Sequence, residues 1–114
     1  DHAYANLQSL AYLAGRGARG YLVGAGMVST VIQDGSLLFT PEHRGVISVF
    51  CHGAPARGVE ERGLYYALHA ATLTADNSIG LSNRFTGQAA AVSVERGQLL
   101  VMWEEERERL LHRL

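Results

Sequence analysis

The strongest constraint on the fold is a change of periodicity after residue 18. Beyond it no helical repeat of apolar residues persists until the last dozen residues, and short runs rich in β-branched and aromatic residues alternate with glycine-containing breaks. Short strands without intervening helices are typical of antiparallel sandwiches and barrels. The sequence therefore predicts a mainly β fold, an antiparallel β-sandwich or jelly-roll-like domain with an N-terminal helix and a short C-terminal helix.

Three segments follow from this pattern. Apolar residues recur at spacings of three and four from residue 3 to 13, which predicts a helix of about three turns that ends at Gly15 and Gly17. The chain begins inside this pattern and without Met, so we expect it to be a fragment of a longer protein, with residues 1–18 as its first segment. Residues 19–103 form the predicted sandwich, and residues 104–114 a helical tail with a packing or solubilising role.

Two local patterns make sharper predictions. Asp34-Gly35 lies between "MVSTVIQ" and "SLLFT", and this dipeptide favours a tight hairpin because both central residues need positive φ. The run "GLYYALHAATLTA" is predicted as a strand, on which Tyr65 and Tyr66 would face opposite sides.

Composition argues against several classes of function. The formal net charge is -1, so no excess of positive charge is available to neutralise nucleic-acid phosphates. The longest apolar run, "GYLVGAGMVSTVI", is shorter than the roughly 20 residues of a membrane-spanning helix. The single Cys51 has no internal disulfide partner, so we expect a cytoplasmic protein that binds neither nucleic acid nor membrane.

The stretch "IGLSNRF", residues 79–85, carries the clearest candidate site. A glycine and an adjacent Ser-Asn pair separate two apolar runs there. Ser82 and Asn83 supply hydroxyl and amide groups that both donate and accept hydrogen bonds, which suits a ligand; a simple turn explains the same residues.

Four segments in order resemble the thiamin pyrophosphokinase (thiamine diphosphokinase) family. "DHAYAN" resembles an Asp-His-x-x-Ala-Asn motif at the end of that family's catalytic domain, and "GVISVF" resembles the strand that enters its vitamin-binding sheet. "GVEERGLYYAL" is similar to a Gly-Leu-Lys-Tyr-Pro-Leu neighbourhood, and "GLSNRFTGQAAAVSVERGQLLV" to a Ser-Asn-x-Phe signature with the last two strands. The resemblance spans nearly all of residues 1 to 103, and it implies that residues 1–18 are the last helix of a truncated α/β catalytic domain.

The resemblance implies an enzyme that transfers pyrophosphate from ATP to thiamin with Mg²⁺, giving thiamin diphosphate and AMP. It further implies a homodimer in which the sandwich contributes to the thiamin site at the dimer interface. The acidic cluster and glycine-rich ATP loop of the family belong upstream of Asp1, so the fragment alone is expected to be inactive. The alternative is a non-catalytic sandwich that binds a small ligand or mediates oligomerisation.

The same resemblance implies roles for individual residues, each with a simpler alternative. Ser82 and Asn83 would orient the pyrimidine of thiamin, and Gly80 would permit its close approach. Tyr66 would stack on a ring of the ligand by cation–π attraction, or belong to the core. Asp1 would be the catalytic acid and a tentative magnesium ligand, or a helix cap. Arg84 stands where the family often has an acid, and we expect it to point to solvent.

Overall fold

The structure, a computed structural model, describes residues 2–77 and 82–105, with side chains from residue 6 onward. One helix precedes nine strands in these residues. The elements are α1 His2–Gly15, β1 Tyr21–Gly24, β2 Met27–Gln33, β3 Ser36–Phe39, β4 Val46–Cys51, β5 Ala56–Arg62, β6 Leu68–Leu73, β7 Asn83–Arg84, β8 Ala90–Ser93 and β9 Gln98–Glu104.

The strands form two antiparallel sheets. One has five strands in the order β1-β2-β9-β4-β7, and the other has four in the order β3-β8-β5-β6. This architecture confirms the predicted mainly antiparallel β fold with an N-terminal helix. The C-terminal helical tail was predicted over residues 104–114; its first residue, Glu104, instead ends β9, and residues 106–114 lie outside the described residues. The domain boundaries stay a prediction.

The main core lies between the sheets and follows from strand alternation. Along β9 the side chains of Leu99, Val101 and Trp103 are buried while the residues between them are partly exposed. The ring of Trp103 meets that of Phe39 from the other sheet edge to face, with centroids 5.0 Å apart. The indole N–H donates to Oε2 of Glu105, 2.8 Å away. Trp103 therefore closes one end of the core.

Helix α1 covers the opposite face of the five-stranded sheet. Leu10 and Ala14 pack with Val31 of β2 in a second, smaller apolar cluster. The amide of Ala18 donates to the carbonyl of Leu13 at 2.9 Å, and Gly17 has a φ of 77°. This is the left-handed glycine expected after a helix end, so the predicted helix and its stop are confirmed.

The predicted hairpin at Asp34-Gly35 is wrong, because β2 and β3 belong to different sheets. Asp34 does have a positive φ of 48°, and its carboxylate accepts a hydrogen bond from the amide of Gly97 at 2.8 Å. The turn thus carries the chain between sheets rather than back along one. The tight hairpin is instead β1–β2, where Ala25 and Gly26 have φ of 52° and 75°.

The single strand predicted over residues 63–75 is also wrong. β5 ends at Arg62, and β6 begins only at Leu68. Gly63 lies between them with a φ of 73°, and it closely approaches the backbone at the start of β8. A Cβ added to Gly63 would lie against the carbonyl oxygen of Ala89 and 2.9 Å from Cα of Ala90. The chain leaves the sheet at this contact, so the two tyrosines occupy a loop.

Gly63→Ala should destabilise the fold by about 3 kcal/mol, because it adds a backbone clash to the cost of a left-handed alanine. Gly53→Ala is the matched control. Gly53 has a similar φ of 76°, yet an added Cβ meets nothing within 4 Å. The control should cost about 1 kcal/mol. Urea unfolding of both variants measures the difference, and equal losses would contradict the close approach.

Candidate functional site

The candidate site forms where the two sheets meet beside β7. This two-residue strand pairs with β4, and the next residue, Phe85, forms a bridge with Leu64 that follows β5. The amide of Tyr65 donates to the carbonyl of Arg84 at 2.9 Å. The residues of "SNRF" are therefore tied to the loop that carries both tyrosines.

The Asn83 side chain is the centre of this connection. It is only 4% exposed, and Oδ1 accepts hydrogen bonds from the amides of Tyr66 and Arg84, both at 2.9 Å. Nδ2 donates to the carbonyl of Tyr66 at 2.6 Å and to Oε1 of Glu61 at 2.9 Å. Both amide hydrogens and both oxygen lone pairs are used within the chain. In this arrangement Asn83 holds the backbone of Tyr66 from both sides.

Tyr65 and Tyr66 both face outward, 68% and 63% exposed. The prediction that one faces inward is wrong because the residues lie on a loop and not on a strand. For the same reason the alternative that Tyr66 is a core residue is wrong. The two rings stand edge to face, with centroids 4.9 Å apart and planes at 86°. They present aromatic surface beside Asn83.

An open concavity of about 580 Å³, part of it solvent, lies against these rings. We call it the tyrosine cleft; it is lined by Tyr65, Tyr66, Ser82, Asn83 and Arg84. Ser82 is exposed and has a φ of 56°, which is uncommon for a residue other than glycine and recurs at functional sites. Arg84 is exposed, as expected. The cleft thus joins two aromatic rings, one hydroxyl and one guanidinium.

Glu61 is the residue of this region that the sequence interpretation missed. Its side chain is completely buried, and burial raises the pKa of its carboxyl group from 4.5 to about 7, an effect that the hydrogen bond from Asn83 partly offsets. Within the described residues, Oε2 has no hydrogen-bond partner. A usable signal was present, since Glu61 follows buried Val59 by two positions and so shares its side of the strand.

The chain matches the family profile "Thiamin pyrophosphokinase, vitamin B1 binding domain" over residues 37–99, which is more than half of its length. The chain belongs to this family. The resemblance seen in the sequence is thereby confirmed. The matched range contains both tyrosines and the Ser82-Asn83 pair of the cleft. Comparison with curated proteins by sequence finds no match.

Solved structures of the family share the fold. The thiamine pyrophosphokinase of Bacillus subtilis superposes with a TM-score of 0.82 at 18% identity, over 93% of this chain and 50% of that one. The enzyme of Geobacillus thermodenitrificans gives 0.77 at 18% identity, over 94% and 49%. A family protein from Enterococcus faecalis gives 0.58 at 19% identity, over 76% and 40%. The chain spans about half the length of the first two relatives.

The predicted roles of individual residues stay predictions within this vitamin B1 binding domain. Tyr66, Ser82 and Asn83 do lie together in the cleft, although the amide of Asn83 is occupied by the chain itself. Gly80 and Asp1 lie outside the described residues. Across residues 2–77 and 82–105 no group of three or more His, Cys, Asp or Glu could hold a metal ion, so these residues do not fit a magnesium site.

The raised pKa of Glu61 makes stability depend on pH. A carboxyl group whose pKa rises on folding favours the folded state below the unfolded value of 4.5, and this stability is lost as the pH rises through about 7. The difference corresponds to about 3 kcal/mol at most. Glu61→Gln should remove that loss, since an amide does not titrate and its oxygen still accepts from Asn83.

Urea unfolding of the wild type and of Glu61→Gln across this pH range tests the prediction. The variant should be the more stable of the two above neutral pH, by about 2 kcal/mol, with the gap closing towards acid. A constant difference between the two proteins at every pH would contradict an un-ionised buried Glu61.

Proposed function

We propose that this chain is the thiamin-binding part of a thiamin pyrophosphokinase. The parent enzyme would transfer pyrophosphate from ATP to the hydroxyl group of thiamin, giving thiamin diphosphate and AMP. The observation that carries the proposal is the tyrosine cleft, which lies inside the range matched to the vitamin B1 binding domain. Thiamin offers this cleft a cationic thiazolium ring and an aminopyrimidine edge.

The chemistry of the cleft suits such a ligand. The exposed faces of Tyr65 and Tyr66 attract a planar cation by cation–π interaction, about 0.5 to 2 kcal/mol when desolvated. The hydroxyl of Ser82, exposed at the cleft, offers one donor and two lone pairs to a pyrimidine edge. Asn83 acts in this proposal chiefly by holding Tyr66, because its own amide is already paired.

ATP and Mg²⁺ belong to another part of the parent in this proposal. The described residues do not fit a magnesium site, and Asp1 is the one acid that the resemblance assigns to the ATP and metal cleft. Phosphoryl transfer depends on positioning and on neutralising phosphate charge, for which magnesium and its acidic ligands are the usual means. The sandwich would therefore hold the acceptor substrate while the chemistry occurs on the catalytic domain.

The homodimer is also part of the proposal, and β1 supports it. This edge strand has one neighbour, β2, and it exposes Tyr21, Leu22 and Val23 together. Unpaired backbone groups beside apolar side chains favour pairing with a second chain. No helix of the described residues is long and apolar enough to cross a membrane. The cytoplasmic location stays a prediction.

Thiamin binding to the 114-residue chain tests the proposed site. Tyr66→Ala should weaken binding about 3- to 30-fold, the range that corresponds to the cation–π energy. Ser82→Ala should weaken it about 5-fold through loss of one hydrogen bond. Tyr12→Ala is the matched control, because Tyr12 is an equally exposed tyrosine on α1. Calorimetric titration measures the affinities, and ultracentrifugation of the same samples reports the oligomeric state.

Equal affinities in the wild type, Tyr66→Ala and Ser82→Ala would remove the tyrosine cleft from the thiamin site. Loss of affinity in Tyr12→Ala as large as in Tyr66→Ala would have the same consequence, since it would point to a general effect of removing a ring.

The transfer reaction should be absent from the 114-residue chain alone. With thiamin, ATP and Mg²⁺ supplied, we expect no AMP release above the background, because most of the residues proposed to hold ATP and metal belong to another part of the parent. The Bacillus subtilis thiamine pyrophosphokinase serves as the positive control. Sustained AMP release by this chain that is lost when thiamin is omitted would contradict the proposal that another part of the parent binds ATP and metal.

A further inference from the structure

Glu61 has a location that the proposed thiamin contacts do not explain. It lies on β5 between Val92 of β8 and Leu68 of β6, its neighbours across the ladder, and its side chain is fully buried. One carboxyl oxygen accepts from Asn83, and the other has no partner among the described residues. Among the described residues no counter-charge pairs with this buried carboxyl group, so its ionised form is a costly state.

The carboxyl group lies one side chain behind the tyrosine cleft. Nδ2 of Asn83 contacts both Oε1 of Glu61 and the carbonyl of Tyr66, while Oδ1 of the same amide holds the amide of Tyr66. A change of charge on Glu61 therefore acts directly on the group that fixes the loop of both rings. Interactions across a protein interior are weakly screened, so the charge also reaches a ligand in the cleft.

We propose that Glu61 is the buried counter-charge of the tyrosine cleft: acting through the Asn83 amide, it positions Tyr66 and selects a planar aromatic cation over a neutral ring of the same size. The inference rests on the proposed function only for the identity of the natural cation, thiamin. Glu61 is a positioning residue, since the cleft is lined by Asn83 and not by Glu61 itself.

Selection of a cation couples binding to ionisation. Burial raises the pKa of Glu61 to about 7, so the group is largely neutral in the empty cleft below about pH 6. A bound cation stabilises the carboxylate and lowers this pKa again. Binding then releases a proton from Glu61, and the affinity for a cation increases as the pH rises through about 7.

Among the described residues, the other charged groups on β5 and on the strands that border it are exposed or partly exposed. Glu60 and Arg62 alternate with Glu61 along β5. They form an ion pair in which Nε of Arg62 lies 3.4 Å from Oε2 of Glu60. Nδ1 of the exposed His69, on β6, lies 2.8 Å from Oε1 of Glu60. β8 contains no titratable side chain. The charged residues on the bordering strands that are exposed or partly exposed are Arg57, Glu60, Arg62, His69 and Arg84.

The first experiment needs no ligand. In the isotope-labelled 114-residue chain, the side-chain NH₂ resonances of Asn83 and the backbone amide of Tyr66 should titrate together with a midpoint near pH 7. They should not titrate in Glu61→Gln, which keeps an acceptor for Asn83. Glu60→Gln is the matched control and should titrate like the wild type. Flat resonances in the wild type, or the same titration in Glu61→Gln, would overturn the inference.

The second experiment compares the binding of two ligands of similar size, the cation N-methylquinolinium and neutral quinoline. Thiamin is the third ligand. If the pKa falls by one unit on binding, the wild type and Glu60→Gln should bind N-methylquinolinium about fivefold more tightly at pH 8 than at pH 6. Glu61→Gln should show no change, and quinoline should bind weakly and independently of pH. Equal or undetectable binding of both rings would overturn the inference.

Thiamin binding distinguishes a failure of this inference from a failure of the proposed function. A pH-dependent preference for N-methylquinolinium that Glu61→Gln abolishes, together with no binding of thiamin, would support the role of Glu61 and contradict the thiamin site. Binding of thiamin with the same affinity and pH dependence in the wild type and Glu61→Gln would support the site and overturn the role of Glu61.

Discussion

The hydrogen bonds of the Asn83 amide hold the site together, because they join three parts of the chain that strand pairing alone connects weakly. β7 is only two residues long and pairs with β4 at the edge of the five-stranded sheet. Through its side chain it also reaches Glu61 on the other sheet and the loop of Tyr66. Each such bond contributes about 1 kcal/mol net, but breaking one leaves buried polar groups unpaired at a greater cost. The position of the tyrosine rings therefore depends on one buried amide.

The sequence predicted those parts of the fold in which burial alternates residue by residue. β4 and β9 follow this pattern over most of their length, and both lie inside their sheet. The pattern failed in β5, where the register with β6 shifts between Ala56 and Val59 and again between Val59 and Glu61. Bulges of this kind disturb the period of two, and no strand was predicted over residues 56–62. The hairpin at Asp34-Gly35 failed differently. A dipeptide specifies a turn but not the partner of the next strand, which distant residues decide.

The residues of the candidate site were predicted in part, but their interactions were not. Ser82, Asn83 and Tyr66 were named from a family resemblance, and the fold brings them to one cleft. What the sequence could not supply was the state of each group. A motif shows that an asparagine is present but not that its amide is already paired, and two adjacent tyrosines suggest alternation unless the glycine before them is known to end the strand. Glu61 was missed because a glutamate among charged neighbours, in "VEERG", resembles a solvated stretch.

The charges at the cleft are not equivalent, and their surroundings decide which one a bound cation would experience. The exposed Arg84 stands at the cleft, where the high dielectric constant of water weakens its repulsion of a thiazolium ring. Glu61 lies behind Asn83 in an interior where the effective dielectric constant is several-fold lower. A guanidinium at this position is therefore compatible with a cationic ligand, provided that the buried carboxyl group ionises when the ligand arrives. In the two proposals taken together, an ionised Glu61 would supply an attraction that offsets the repulsion of a bound cation by Arg84.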